Sequence, residues 1–113
     1  MKDHLKEDLK YLRKVKKILE NGWTKNALAR NKRGKEVGVK SKNAARFCLI
    51  GALQKCQMIG KTDFFSKYIN IFEGICKHNN LISIAYFNDT TNKQSVIGLV
   101  DLVITECNQL RKS

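Results

Sequence analysis

Residues 44–53 read Ala-Ala-Arg-Phe-Cys-Leu-Ile-Gly-Ala-Leu. Ala45, Cys48, Leu49, Ala52 and Leu53, continued by Cys56, recur at three- and four-residue steps, the period of one buried helix face. Small side chains dominate that face, and Gly51 sits in its middle. A mid-helix glycine costs about 1 kcal/mol relative to alanine, and is tolerable where another element packs tightly against it. The stretch predicts the central helix of the core, from an N-cap at Ser41 to about Gln57.

Upstream, Leu5, Leu9, Leu12, Val15, Ile18 and Leu19 predict a first helix over Asp3–Asn21, stopped by Asn21-Gly22. Its other face carries Lys6, Lys10, Arg13, Lys14 and Lys17. Between the two helices, Asn31-Lys32-Arg33-Gly34 is a turn signal. Trp23–Lys42 is expected to form a short, irregular β-hairpin with a basic tip, with a helical start over Lys25–Arg30 as the alternative.

Downstream, Phe64, Phe65, Tyr68, Ile69, Phe72, Ile75 and Cys76 predict a helix from Thr62-Asp63 to about Asn80. Leu81–Phe87 is short and β-prone, so an extended segment is expected there, followed by a turn or cap at Asn88–Thr91. Val96, Leu99, Val100, Val103, Ile104, Cys107 and Leu110 predict a last helix over Lys93–Arg111. The expectation is a mainly α (α+β) fold: a compact four-helix domain, with a short β-hairpin after helix 1 and one extended segment before the last helix. Neither a repeat nor a linker divides residues 1–113, which read as one domain.

Composition excludes several classes. The chain has 113 residues and no proline, which rules out collagen-like and proline-rich readings. No apolar run approaches the roughly 18 residues of a membrane span. The start, MKDHLKEDLKYLRKVKK, is charged where a secretory signal is apolar, so an intracellular, cytoplasmic protein without a membrane partner is expected. The first helix also lacks the interfacial Trp and Phe of a membrane-surface helix. Cys48, Cys56, Cys76 and Cys107 form no C-x-x-C pair and lie in apolar-periodic segments. Buried thiols are expected, with a disulfide or metal as the alternative, since Cys76-x-His78 alone is a weak metal pair. No metal or cofactor is called for.

Gly22-Trp23-Thr24 follows the first helix, and Ala29-Arg30 precedes the turn with Gly34. Phe47-Cys48-Leu49-Ile50-Gly51-Ala52 comes next, and Phe87-Asn88-Asp89 precedes the last helix. This arrangement resembles an uncharacterised family of small bacterial and phage proteins, a domain of unknown function. The family patterns are aromatic-Cys-x-x-Gly-Ala and aromatic-Asn-Asp. Phe47 and Phe87 stand where Trp is usual, and both keep a ring. The likeness runs from about Leu5 to Leu110. It implies a shared fold and supplies no activity, and a phage or mobile-element accessory, regulatory or counter-defence role would suit it. It does not imply the basic charge of this chain.

That charge is the first candidate for function. Lys+Arg number 22 against 10 Asp+Glu, a formal +12, of which residues 1–42 carry +9. If helix 1 and the hairpin pack side by side, Lys10, Arg13, Lys14, Lys17, Arg30, Lys32, Arg33 and Lys35 form one positive surface. Nucleic acid rewards such a surface by counterion release, and an acidic protein by charge complementarity. The plainer reading is a solvated face, since Lys outnumbers Arg 17 to 5 and bidentate readout prefers Arg. Only Tyr11 and Trp23 supply rings among these cations, and Trp23 reads more readily as a core plug.

The second candidate is Cys48 with Asn88, Asp89 and one of His4 or His78, a composition that permits a nucleophilic site between the central helix and the last helix. Against it, a thiol on an apolar face is inert, and Asn-Asp ahead of a helix ordinarily caps it. No phosphate-binding glycine loop or H-E-x-x-H is present. The expectation is therefore a non-enzymatic binding protein, with a small enzyme or small-ligand binder around Cys48, Asn88 and Asp89 as the rival.

Overall fold

The computed structural model describes residues 2–57 and 63–112, with side chains from Leu5 onward. Helix α1 (Lys2–Asn21) buries Leu9, Leu12, Val15 and Leu19. It packs along α5 (Lys93–Lys112) and against α2 (Leu49–Gln57), which in turn packs on α3 (Phe64–His78). The α1–α5 pair is antiparallel. Lys16 in the C-terminal half of α1 pairs with Asp101 near the middle of α5 at 2.9 Å, and Lys93 Nζ at the start of α5 donates to the Glu20 carbonyl at the C-terminal end of α1. A short helix α4 (Ile84–Thr90) covers the start of α2. Side chains from all five helices join one buried cluster, which includes Cys56, Cys76 and Cys107 and the rings of Phe64, Tyr68 and Phe72. No described helix is long and apolar enough to cross a membrane.

A mainly helical fold with a small antiparallel β element is what the pattern implied, but the details differ in three places. Helix α2 starts at Leu49 rather than after Ser41. Ser41 Oγ accepts from Asn43 N–H in a turn, and Arg46–Phe47 is strand β2. Strand β1 (Ala29–Arg30) pairs antiparallel with β2, Ala29 opposite Phe47 and Arg30 opposite Arg46. The hairpin within Trp23–Lys42 is thus reduced to one bridge, Arg30 with Glu36, and β1 takes its main partner from beyond it. The helical alternative over Lys25–Arg30 is not adopted. Phe47 also bridges Trp23 on its other side, donating N–H to the Gly22 carbonyl and accepting from Thr24 N–H.

The third difference is α4, placed where an extended segment was expected, which brings the helix count to five. Two caps account for it, one from the serine within the run and one from α3. Ser83 Oγ accepts from Tyr86 N–H at 3.1 Å, and Glu73 on α3 accepts from Ile84 N–H at 2.8 Å. Before it, Ser83 N–H reaches back to the Leu81 carbonyl across Ile82, whose φ of 72° marks a strained γ-turn for a β-branched residue. Asn88 and Asp89 therefore lie inside a helix. The cap of α5 is Asn92, whose Oδ1 accepts from Ser95 N–H. Thr62, expected to open α3, lies outside the described residues, and Asp63 makes no side-chain cap. Gln57 Oε1 accepts from Phe65 N–H instead.

One charged group is built into the core. Asp8 of α1 is buried, and its Oδ2 receives the Tyr68 hydroxyl at 2.7 Å and Lys67 Nζ at 2.6 Å. A buried carboxylate is costly unless charge-assisted donors meet it, and here two do.

Gly51 answers the question raised by its position. A Cβ there would lie 2.1 Å from the Leu28 carbonyl oxygen, so the loop backbone occupies the space of a side chain. A Cβ on Gly98 would meet nothing within 4 Å. Gly51→Ala is expected to cost about 2–3 kcal/mol. Gly98→Ala should gain about 0.5–1 kcal/mol from helix propensity. Urea melts of the two variants check this, and an unchanged midpoint for Gly51→Ala would contradict the close approach.

Candidate functional site

Three residues of the second candidate, Cys48, Asn88 and Asp89, do come together around the N-terminus of α2. Asn88 is 1% exposed, and each polar atom of its amide is used. Oδ1 accepts from Trp23 Nε1–H at 2.9 Å and Leu49 N–H at 3.0 Å. Nδ2 donates to the Thr24 carbonyl at 3.1 Å and to Asp89 Oδ1 at 3.0 Å. Asp89 Oδ1 also accepts from Asn26 N–H at 2.9 Å, which holds Asn26 at a φ of 65°. Cys48 is the N-cap of α2, its Sγ accepting from Gly51 N–H at 3.3 Å and its carbonyl from Ala52 N–H. A helix N-terminus ordinarily depresses a thiol pKa. Burial outweighs it here, and with Asp89 nearby the Cys48 thiol is held above its usual value. Burial raises Cys76 as well, and pushes Cys56 up to about 11.

A cleft of about 280 Å³ opens beside this cap, between Ala27–Leu28, Glu36, Cys48, Ile50 and the Ala85–Asp89 turn of α4. It lies against α4, not between α2 and the last helix as the sequence implied. His78 is exposed at the far end of α3, and the side chain of His4 lies outside the described residues. No histidine among the described residues lines this cleft. No group of three or more metal-binding side chains is gathered among the described residues. The arrangement is a structural joint: it satisfies backbone groups and leaves the thiol protonated.

The basic residues fall into two groups. Lys6, Lys10, Arg13 and Lys17 fall within an arc of about 60° on α1, opposite the buried face, and all four are exposed. Lys6, Lys10 and Arg13 line a groove of about 490 Å³ with Glu7 and with Arg111 from α5. Lys14 stands off this stripe, half-buried, its ammonium 6.0 Å from the Tyr11 ring centre. The second group is in the loop. Lys32, Arg33 and Lys42 line a groove of about 520 Å³, with exposed Lys35 at the same turn. This loop follows the C-terminal end of α1, where Gly22 abuts Ala45, whereas the first groove flanks its N-terminal half. Lys10 and Arg13 thus line one groove, and Lys32 and Arg33 another. Arg30 belongs to neither groove. Its guanidinium donates to Thr24 Oγ1 at 3.0 Å, the Gly34 carbonyl at 3.0 Å and the Lys25 carbonyl at 3.4 Å, clamping the loop. Arg111 and Lys42 were not legible as site residues, because only the antiparallel α1–α5 packing and the fold of residues 41–45 bring them in.

Residues 4–106 match DUF6197, a family of unknown function, and the chain belongs to it. No curated protein and no solved structure matches the chain.

Two outcomes follow for the joint. Asn88→Asp keeps the shape but removes the amide donor and sets a carboxylate beside Asp89. It is expected to destabilise by about 2–3 kcal/mol, and Asn88→Ala, which orphans the Trp23 and Leu49 N–H groups, by at least as much. Denaturant melts measure both. At pH 8 the native protein should show none of its four thiols to a disulfide reagent within minutes and all four after unfolding. Rapid native labelling of Cys48 would restore the nucleophile.

Proposed function

We propose that the protein is a non-enzymatic binding protein. It engages a negatively charged macromolecule, nucleic acid or an acidic protein surface, through α1 and the loop that follows it. One observation carries this reading. Lys6, Lys10, Arg13 and Lys17 form an exposed row, and the ion pairs among the described residues engage only Lys16 and Lys67. By helix geometry the row rises by about 16 Å. Lysines at such spacing repel one another, and a polyanion relieves that repulsion while releasing its own counterions. An accessory or regulatory role in a phage or mobile element is compatible with this activity. The rival centred on Cys48 loses support because Asn88 and Cys48 are engaged in backbone hydrogen bonds and the thiol is held protonated.

Retention on immobilised heparin tests the reading. Lys10→Glu/Arg13→Glu is expected to elute at much lower salt than the wild type. Lys55→Glu/Lys77→Glu makes the same change in net charge elsewhere and should shift elution far less, and Cys48→Ser should not shift it. Equal losses for the two double variants would show that net charge alone is responsible and would remove the α1 row from the proposal.

A further inference from the structure

We infer that the anionic partner is a nucleic-acid duplex, gripped through its phosphates by the loop groove of Lys32, Arg33 and Lys42; this rests on the reading above. Charge is sorted across the loop. Residues 22–45 hold seven Lys+Arg and one acid, Glu36. Lys32, Arg33 and Lys42 line one groove without an acidic neighbour, while Glu36 lines the separate cleft beside Asp89. Of the two basic grooves, only this one has no carboxylate in its lining, since Glu7 lines the groove on α1.

The loop is also ordered before any partner arrives. Arg30 clamps it through three acceptors, and Asn31 Oδ1 accepts from both Arg33 N–H and Lys35 N–H. Gly34, at a φ of 85°, closes the turn by donating to the Asn31 carbonyl. Cations carried on a preformed loop spare the ordering cost that a flexible basic tail incurs on binding.

The surroundings decide between the anionic partners. A single strand is held largely by stacking of its bases on aromatic rings. Neither ring near the cations is available for that. Tyr11 packs in a T-shaped contact with Phe64, and Trp23 is half-buried with its N–H tied to Asn88. The exposed ring, Tyr86, lies on α4 next to Ala85 of the acidic cleft. An acidic protein partner calls for an apolar or aromatic anchor at the centre of the contact. Leu28, Ile71, Ile82, Tyr86, Leu102 and Leu110 are the exposed large apolar side chains among those described, and none lines the loop groove. What the groove offers is point charge without stacking or an apolar anchor. A duplex backbone needs only that, because phosphate contacts position a protein without reading sequence.

The test is fluorescence anisotropy with a 20-bp DNA duplex, a 20-bp RNA duplex, each single strand and polyglutamate, between 50 and 200 mM salt. Wild-type protein should bind at least one duplex at least tenfold more tightly than any single strand or polyglutamate, and a scrambled duplex of the same form within about twofold. Lys32→Gln/Arg33→Gln/Lys42→Gln should flatten the plot of log affinity against log salt by about two to three, at about 0.9 per lost phosphate contact. Its melting curve should match the wild type, because none of these three side chains makes a bond within the fold. A single strand or polyglutamate bound more tightly than both duplexes would overturn the duplex while leaving the anionic-partner reading standing. An unchanged salt slope in the triple variant would overturn the groove. Failure to bind any of these polyanions, with loss of heparin retention, would overturn both proposals.

Discussion

The side-chain amide of Asn88 is the point on which the arrangement of the chain depends. Three segments distant in sequence meet there: the Trp23–Thr24 stretch after α1, the first turn of α2 and the body of α4. An amide suits this place because it offers both acceptor and donor at one buried position, where a carboxylate offers acceptors alone. Each partner is a group that burial would otherwise leave costly: an indole N–H, a helix-terminal N–H and a loop carbonyl. With the start of α2 fixed, Gly51 can meet the Leu28 carbonyl and Cys48 N–H can donate to it, so the loop is held at both ends. Short strands of two residues would not be stable alone, and here this joint and the Phe47 bridges hold them.

The long helices were legible because their apolar residues repeat over three or more turns. Leu9, Leu12, Val15 and Leu19, and later Val96, Val100 and Val103, are buried as their spacing requires. The same logic located α3 and the close approach at Gly51. It failed at α4 and at the start of α2, for related reasons. Leu81–Phe87 is β-prone by composition, and the caps that make residues 84–90 helical come from Ser83 and from Glu73, eleven residues upstream of the N–H it receives. Ser41 has the better capping side chain by type, but Cys48 is the residue that caps α2. Propensity ranks residues one at a time, whereas tertiary partners decide which of them is used.

Among the candidate sites, sequence grouped Cys48, Asn88 and Asp89 correctly in space, and a structural role for them was one of its readings. It could not show that all four hydrogen-bonding positions of the Asn88 amide would be occupied. For the cations it found the row on α1, since helix periodicity alone sets that row. It counted Arg30 with the ligand-facing charges, because nothing local shows that the chain folds its acceptors around the guanidinium. Arginine's planar fork suits that inward role, with donors reaching Thr24, Lys25 and Gly34 together.

This division separates stability from binding. The bonds that set the loop's shape are made by backbone groups, by Arg30 and Thr24, by the side chains of Asn31 and Ser41, and by Asn88 and Asp89 from α4. Arg33 and Lys35 contribute their N–H groups to it, and Lys32 contributes no bond. The side chains of Lys32, Arg33, Lys35 and Lys42 therefore ride on a scaffold that does not need them. The same holds on α1, where Lys10, Arg13 and Lys17 project from a helix whose position is set by the apolar face behind them. These charges add nothing to the fold and repel one another, and it is from those two properties that the proposed engagement of an anionic partner is argued.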